Sequence, residues 1–522
     1  MLLLEGVSIK HYVQQRLLLN IPYLRVHQKD RIGLVGRNGS GKTTLLNMIA
    51  GELQPEEGQI THFSSVKLVP QLKRIDLIKS GGEITQSYLQ QAFSHSAGLL
   101  LLDEPTTHLD TAHIEWLEKS LKDYQGAFML VSHDRAFLDH LCTEIWEIDE
   151  GALTVFKGNY RDYTTQKELA RKEQQNAYEK YEQQKRHLEE AIRKKEQRAQ
   201  RATKKPKNLS GSEARLKGAK PYFANKQKKL RQTASAFETR LAQLEKVEKP
   251  VADKPIQMDV LNEATIQNQI IVRAEEVMGE IGKRTLWQPA TFYIRGGDKV
   301  AIIGANGTGK TTLIKKLLAR ENIMISPSVQ IGYFAQNLTM LEHKKSILEN
   351  IQATSSKNEA FIRTVLARLH FYEEAVYKKV KVLSGGERVK VALAKIFLSD
   401  ANLLVLDEPT NFLDIESLEA LETLLQSYKG SVVFVSHDRT FIRNIATKII
   451  EIKDQTLLIY DGNYEAYEAQ LKKSEQQTDA SQLLLIETKI SDVLSRLSLE
   501  PSQKLEEEFE QLLIEKRRLL NK

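Results

Sequence analysis

Cysteine is nearly absent: Cys142 is the one cysteine in 522 residues. That excludes an internal disulfide framework and a cysteine-built metal cluster, and it fits a reducing compartment. Long apolar runs are missing too. Stretches such as Leu99 to Leu102 meet a charge after a few residues, far short of the ~20 needed to cross a bilayer, so no membrane span is expected. The opening MLLLEGVSIK has neither a basic lead nor a long apolar stretch, which argues against a secretory signal and for a cytoplasmic protein. Acids are scarce in one place. Residues 191–231 hold fifteen Lys/Arg and only Glu196 and Glu213 on the acidic side, a local +13 in a chain of net +7, so the remainder carries −6. Hydrophobic residues at 41% and charged residues at 27% exclude a wholly disordered or fibrous chain, and the length calls for several domains.

Around the basic stretch the pattern is helical. Tyr178, Tyr181, Lys185, Leu188 and Ile192 recur at steps of three and four, as do Leu230, Ala234, Phe237, Leu241 and Leu244. A polar interval with Pro206, Gly211, Gly218 and Pro221 separates the two seams. This predicts two antiparallel helices forming an arm from Thr164, on the order of 60 Å long at ~1.5 Å per residue, with a basic tip near residues 204–222. Lys204, Lys205, Lys207, Arg215, Lys217 and Lys220, with Tyr222 and Phe223 as stacking groups for unpaired bases, are the candidate RNA-binding residues.

One ordered series of motifs stands on each side of the arm. GRNGSGKT (Gly36 to Thr43) recurs as GANGTGKT (Gly304 to Thr311), LLLLDEPTTHLD (Leu99 to Asp110) as LLVLDEPTNFLD (Leu403 to Asp414), and VSHDR at Val131 as VSHDR at Val435. Each glycine-rich run follows a β-like stretch and opens an amphipathic helix, the context of a phosphate loop. Glycines (Gly36, Gly39, Gly41; Gly304, Gly307, Gly309) let the backbone amides, Asn38 and Asn306 among them, turn toward phosphate oxygens. Lys42 or Lys310 adds a charge on the β/γ-phosphates, Thr43 or Thr311 offers a hydroxyl to Mg²⁺, and Thr44 and Thr312 complete the loops. Asp103 and Asp407 end apolar strands, where they can hold the Mg²⁺ shell. Glu104 and Glu408 then polarise the attacking water, and His133 and His437 are candidate γ-phosphate sensors.

These residues resemble the ATP-binding cassette superfamily over about 420 of the 522 residues. The resemblance implies a glutamine loop at Gln71 and Gln336, with catalytic and Mg²⁺ roles, and a signature LSGGE at Leu383 to Glu387. It further implies head-to-tail pairing within a monomer. One ATP site would join Lys42, Gln71, Asp103, Glu104 and His133 to Ser384, Gly385 and Gly386; the other would join Lys310, Gln336, Asp407, Glu408 and His437 to Ser80, Gly81 and Gly82. The fold class is α/β: two P-loop cassettes in tandem (1–163 and 251–475), a basic two-helix arm (164–250) and a C-terminal αα-hairpin (476–522).

Two cassettes and a charged arm on one chain without a membrane segment resemble the ABC-F class, and in arm length and reduced first cassette the Vga-type ribosome-protection proteins. That likeness implies an ATPase that, in its ATP-bound form, occupies the exit-tRNA site of the 70S ribosome. Its arm would extend along 23S rRNA and the P-site tRNA toward the peptidyl-transferase centre, displacing streptogramin A, lincosamide and pleuromutilin drugs, and hydrolysis would release it. No membrane or DNA partner is implied. A housekeeping ABC-F translation factor shares the same machinery. A DNA-repair or chromosome ATPase ordinarily splits its phosphate loop from Asp-Glu across the coil, whereas here both lie on the same side, twice. A transporter subunit would leave the basic arm without a task.

The chain departs from the pattern in three ways. The first signature reads KSGGE at Lys79 to Glu83. Only 9 positions separate Gln71 from Ser80, against 48 from Gln336 to Ser384, so the first cassette is expected to lack most of its helical subdomain. Tyr12 is placed to stack on adenine, but the equivalent offset in the second cassette holds Glu280. After residue 475, apolar positions on either side of Pro501 predict the hairpin, as a packing appendage or a second ribosome contact.

Overall fold

The computed structural model describes residues 1–520 except 14, 71–80, 95–96, 108, 202–218, 248–267, 283, 336–339, 370, 412 and 500–501. Met1–Val155 with Gln257–Lys522 forms one compact unit and Phe156–Ile256 another.

The first cassette opens on a hairpin, β1 (Leu2–Val13) and β2 (Arg16–His27), joined by β4 (Glu57–His62) in a three-stranded antiparallel sheet. Burial alternates along both strands, as expected when one face packs and the other meets water. The main sheet runs β5-β6-β7-β3-β8-β9, from β3 (Arg31–Gly36), β5 (Val66–Val69), β6 (Leu99–Asp103), β7 (Ala127–Val131), β8 (Glu144–Asp149) and β9 (Ala152–Lys157). The β6 sequence LLLLD and the β7 sequence AFMLV are buried at every residue, because helices cover both faces of a parallel sheet. Helix α1 (Lys42–Ala50) lays Leu45, Leu46 and Ile49 on Ile32, Leu34, Leu101 and Met129. Between β5 and β6 there is one described helix, α2 (Gly81–Ser94); α3 (Thr111–Asp123) and α4 (Arg135–Leu141) follow β6 and β7.

The arm contains α5 (Tyr160–Arg201) and α6 (Ala219–Ala242). Both apolar seams read from the sequence are half-buried, with Ala234 fully buried, and Ala199, seven residues beyond Ile192, is buried as well. Helix α5 starts four residues before Thr164, because Tyr160 and Tyr163 bury their rings together with Phe156.

The second cassette repeats the plan. β10 (Ile270–Ile281), β11 (Arg284–Arg295) and β13 (Ile323–Ile325) form the small sheet. The large one runs β14-β15-β16-β12-β17-β18, from β12 (Lys299–Gly304), β14 (Ile331–Phe334), β15 (Leu403–Asp407), β16 (Ser431–Val435), β17 (Lys448–Lys453) and β18 (Thr456–Asp461). Helix α7 (Lys310–Ala319) covers it after the phosphate loop. Between β14 and β15 the chain builds a subdomain that the first cassette does not match: α8 (Ile347–Gln352), α9 (Glu359–Arg368), two 3-10 turns and α10 (Gly385–Phe397). Helices α11 (Ile415–Ser427) and α12 (Arg439–Ile445) correspond to α3 and α4.

Helix α13 (Tyr464–Leu499) runs unbroken through residue 475 and packs on α14 (Gln503–Leu520), so the appendage continues the last cassette helix. Ile486 and Val493 are buried there, and Lys516 Nζ reaches Glu487 Oε1 at 2.7 Å across the pair.

Candidate active site

Each phosphate loop is set by a β-strand that ends in glycine. Gly36 and Gly304 both have φ of 147°, and a Cβ there would stand 2.5 Å from the carbonyl oxygen of Ile148 or 2.6 Å from that of Ile452. Only glycine allows the loop to leave the sheet this close to the neighbouring strand. Lys42, buried at the start of α1, donates from Nζ to the Gly36 and Arg37 carbonyls at 2.7 and 3.0 Å; Lys310 does the same to Gly304 and Ala305 at 2.9 and 3.0 Å. The ammonium thus lies folded over its own loop, where phosphate oxygens can replace the carbonyls. Burial lowers both lysines from their ordinary values, opposed by Glu104, Asp414 and Asp103 for Lys42 and by Glu408, Asp110 and Asp407 for Lys310. One carboxylate in each set belongs to the opposite cassette.

Asp103 and Asp407 stand at the carboxyl ends of β6 and β15, where a parallel sheet presents its ligand crevice. Thr43 Oγ1 donates to Asp103 Oδ2 at 2.8 Å and Thr311 Oγ1 to Asp407 Oδ1 at 3.3 Å. Burial raises both aspartates. The next residues, Glu104 and Glu408, have φ of 51° and 54°, a left-handed conformation that side-chain-bearing residues seldom adopt. Hydrogen bonds hold it in place: Glu104 N donates to Val131 O at 2.9 Å and Glu408 N to Val435 O at 3.0 Å. Strain of this kind persists where the surroundings over-determine it, characteristically at functional sites. His133 Nε2 lies 3.0 Å from Glu104 Oε1, and His437 Nε2 lies 3.3 Å from Glu408 Oε1. Burial, helped by Asp407 and opposed by Lys310, pushes the Glu408 carboxyl up to about 7. Burial followed by Lys310 takes His437 down to about 3, so its imidazole is neutral.

Two aspartates that the sequence reading passed over close these sites from the other side. Asp110 caps α3, accepting from His113 N at 3.1 Å, while its Oδ2 accepts from Asn306 N in the second phosphate loop at 2.9 Å. Asp414 caps α11, accepting from Ser417 N at 3.1 Å, while its Oδ2 accepts from Asn38 N in the first phosphate loop at 3.0 Å. Their signal was present, since both end the repeated Asp-Glu-Pro-Thr segment. Arg37 Nε adds a 2.7 Å bond to Glu416 Oε2.

The hairpins flank the loops from above. Gly41 packs on Leu18 and Leu19, and Gly309 on Leu286 and Trp287. Tyr12 pairs with Leu17 at that end of the first hairpin, and Glu280 pairs with Thr285 at the same register in the second, so the departure at Glu280 is real in three dimensions. Thr44 and Thr312 lie half-buried in the first turns of α1 and α7, and Gly39 and Gly307, both at positive φ, have open space where a Cβ would stand. Ser384 caps α10 in a reciprocal box with Glu387, with Gly385 and Gly386 in the first turn. Gly81 and Gly82 open α2. Gln71, Ser80, Gln336, Lys204, Lys205, Lys207, Arg215 and Lys217 lie outside the described residues, as do the side chains of Lys220, Tyr222 and Phe223.

Two full sets of phosphate-loop, Asp-Glu and His side chains, each completed by an aspartate from its neighbour, make a paired ATPase. A family described as ABC transporter matches residues 19–79 and 287–411, and a second profile of that description matches 146–259, the arm included. The erythromycin resistance ATP-binding protein MsrA of Staphylococcus epidermidis is 36% identical, over 86% of this chain and 97% of its own length. The ribosome protection protein VmlR of Bacillus subtilis (strain 168) is 32% identical, over 93% of this chain and 92% of its own. The chain belongs to the ABC-F class of ATP-binding cassette proteins. Among solved structures, the archaeal ribosome recycling factor aABCE1, in complex with ribosomal stalk protein aP1, superposes with a TM-score of 0.58 at 17% identity. It covers 89% of this chain and 92% of that one, a likeness of fold. As an ABC-F protein the chain hydrolyses ATP, and among the described residues no helix is long and apolar enough to cross a membrane.

Between the cassettes of this ABC-F pair lies a charged cluster, buried at Arg135 and Glu422. Arg135 is bonded to Glu422, and Arg439 reaches Glu115 Oε1 at 2.8 Å and Glu118 Oε1 at 4.0 Å. Asp134 and Asp438 cap α4 and α12 beside these arginines. Burial, then Asp134, pushes Asp438 up to about 7, with Arg135 opposing and Glu422 adding to the rise. A carboxyl that holds its proton more tightly when folded gives stability that is complete below its unfolded value, near 4, and lost as pH rises through about 7. Asn also caps helices well. Thermal melts at pH 6 and pH 8 are therefore expected to separate wild type from Asp438→Asn. The wild type drops by roughly 1–3 °C more than the variant across that interval, and equal drops would show that the proton shared with Asp134 is not held at Asp438.

Proposed function

We propose that this ABC-F protein is an ATP-switched ribosome binder that protects against antibiotics acting at the peptidyl-transferase centre. In its ATP-bound form it occupies the exit-tRNA site of the 70S ribosome, in the cytoplasm, and its arm approaches 23S rRNA and the P-site tRNA. Hydrolysis releases it. One observation carries this reading: a single chain pairs two cassettes through Asp110–Asn306 and Asp414–Asn38, and carries on the same chain an exposed basic arm. Contacts that exist only when the cassettes are together let ATP bias the pair toward closure, because a ligand shifts an equilibrium by its differential affinity. The chain acts as a monomer, since pairing is internal.

The site fits Mg²⁺-ATP. A hydroxyl and a carboxylate converge at Thr43–Asp103 and again at Thr311–Asp407, the sparse oxygen set that Mg²⁺ takes together with substrate phosphates, and Gln71 and Gln336 would join it. Mg²⁺, when bound, neutralises charge on the β- and γ-phosphates. Glu104 and Glu408 take the proton of the attacking water, His133 and His437 fix the orientation of those carboxylates, and the lysines hold the γ-phosphate. Ser384–Gly386 and Ser80–Gly82 close the two sites from the opposite cassettes. Tyr12 stacks on the base at the first site.

Drug susceptibility of cells expressing the protein tests this reading. Streptogramin A, lincosamides and pleuromutilins are the expected spectrum, and erythromycin joins the panel because MsrA carries that resistance in its name. Expression should raise the inhibitory concentration of at least one class about fourfold or more, and Glu104→Gln/Glu408→Gln should abolish the gain. No change for any drug would instead identify a housekeeping translation factor.

A further inference from the structure

The two aspartates that grip the opposite phosphate loops are not held alike. Asp414 Oδ1 takes Ser417 N, the Ser417 hydroxyl and, at 3.5 Å, the ammonium of Lys390. Lys390 is itself buried, two turns into α10, the helix that Ser384 of the signature caps. Asp110 Oδ1 takes His113 N and, at 2.5 Å, His113 Nδ1. At the position matching Lys390, six residues after the signature serine, the first cassette has Gln86.

We propose that Lys390 is a positioning residue for the ATP site on the first phosphate loop, tying the second signature helix to Asp414 and through it to the backbone amide of Asn38. This rests on the pairing of that loop with the second signature given above. A neighbouring opposite charge favours the ionised form of a carboxylate as enclosed as Asp414. Lys390 supplies that charge, and with Ser417 and Asn38 it holds Asp414 well below the usual carboxylate range against the pull of burial. The Asp414 charge in turn reaches Lys42 across the interface. Lys390 therefore links the two halves of one nucleotide seat, and its partner seat has no such lysine.

Steady-state ATP turnover of the full chain tests this with Lys390→Gln, which copies Gln86, and with Lys390→Arg, Asp414→Asn and the Lys390→Gln/Asp414→Asn pair. Lys390→Gln should raise the ATP concentration for half-maximal turnover about fivefold to twentyfold while kcat stays within about twofold, the pattern of lost uniform binding. Lys390→Arg should restore both to within about twofold, and in the Asp414→Asn background the glutamine should add less than about twofold. An unmoved KM in Lys390→Gln, an equal effect with and without Asp414, or no rescue by arginine overturns the proposal. Lys390→Met serves as the same measurement if the glutamine protein is insoluble. Failure here leaves the closure reading intact, because that stands or falls on ribosome retention by the double glutamate variant.

Discussion

Glu104→Gln with Glu408→Gln is expected to cut steady-state ATP turnover at least ~100-fold, the usual worth of a positioned base. It should also lock the protein onto ribosomes in the presence of ATP. Both glutamates sit beyond a strand end, next to the Thr–Asp pairs, each with its carboxylate close to a histidine Nε2. Glutamine keeps the shape and loses the proton acceptor, so ATP still binds and still favours the paired cassettes. The measurement is co-sedimentation with intact ribosomes, with and without ATP. Strong ATP-dependent enrichment of the variant over wild type is the expected outcome. Equal sedimentation under all conditions would remove nucleotide-driven closure as the switch.

Ribosome binding should also fall steeply with salt. Residues 191–231 carry +13, and of the described cations of that stretch Arg193, Lys194, Arg198, Arg201, Lys228, Lys229 and Arg231 are exposed, while Lys195 is half-buried. If the arm neutralises about five phosphates, tripling the salt should weaken binding about 50- to 150-fold through counterion release. A solvated face with no nucleic-acid partner would give a slope near zero. Replacing Lys204, Lys205 and Lys207 by glutamine should lower the slope by about 2 to 3, and an unchanged slope would place the phosphate contacts elsewhere.

The cassettes were legible because their chemistry is written in short runs with fixed spacing. GxxxxGKT, the apolar strand before Asp-Glu, and the SHDR turn each specify a backbone and a side chain together, and the repeat doubled every signal. The arm seams were legible through their step of three and four, and their residues are the inward-facing ones. Contacts between the cassettes were not. Arg135 with Glu422 and Asp414 with Asn38 join residues of opposite cassettes far apart in sequence, and no local periodicity encodes them. The domain edge at 475 failed to mark a break for a related reason. Helix α13 has a continuous polar sequence there, with no glycine or proline to end it before Pro501.

The backbone at Glu104 and Glu408 bears on how this sequence can drift. A chain selected only to fold would exchange both residues for asparagine or glycine, which enter the left-handed region far more readily. Such a change would relax the turn after the strand and, under the role proposed for these carboxylates, leave the attacking water without its acceptor. The same ill-suited residue stands in both copies, so the strained turn is kept at each seat, including the one whose signature follows only 9 positions after Gln71.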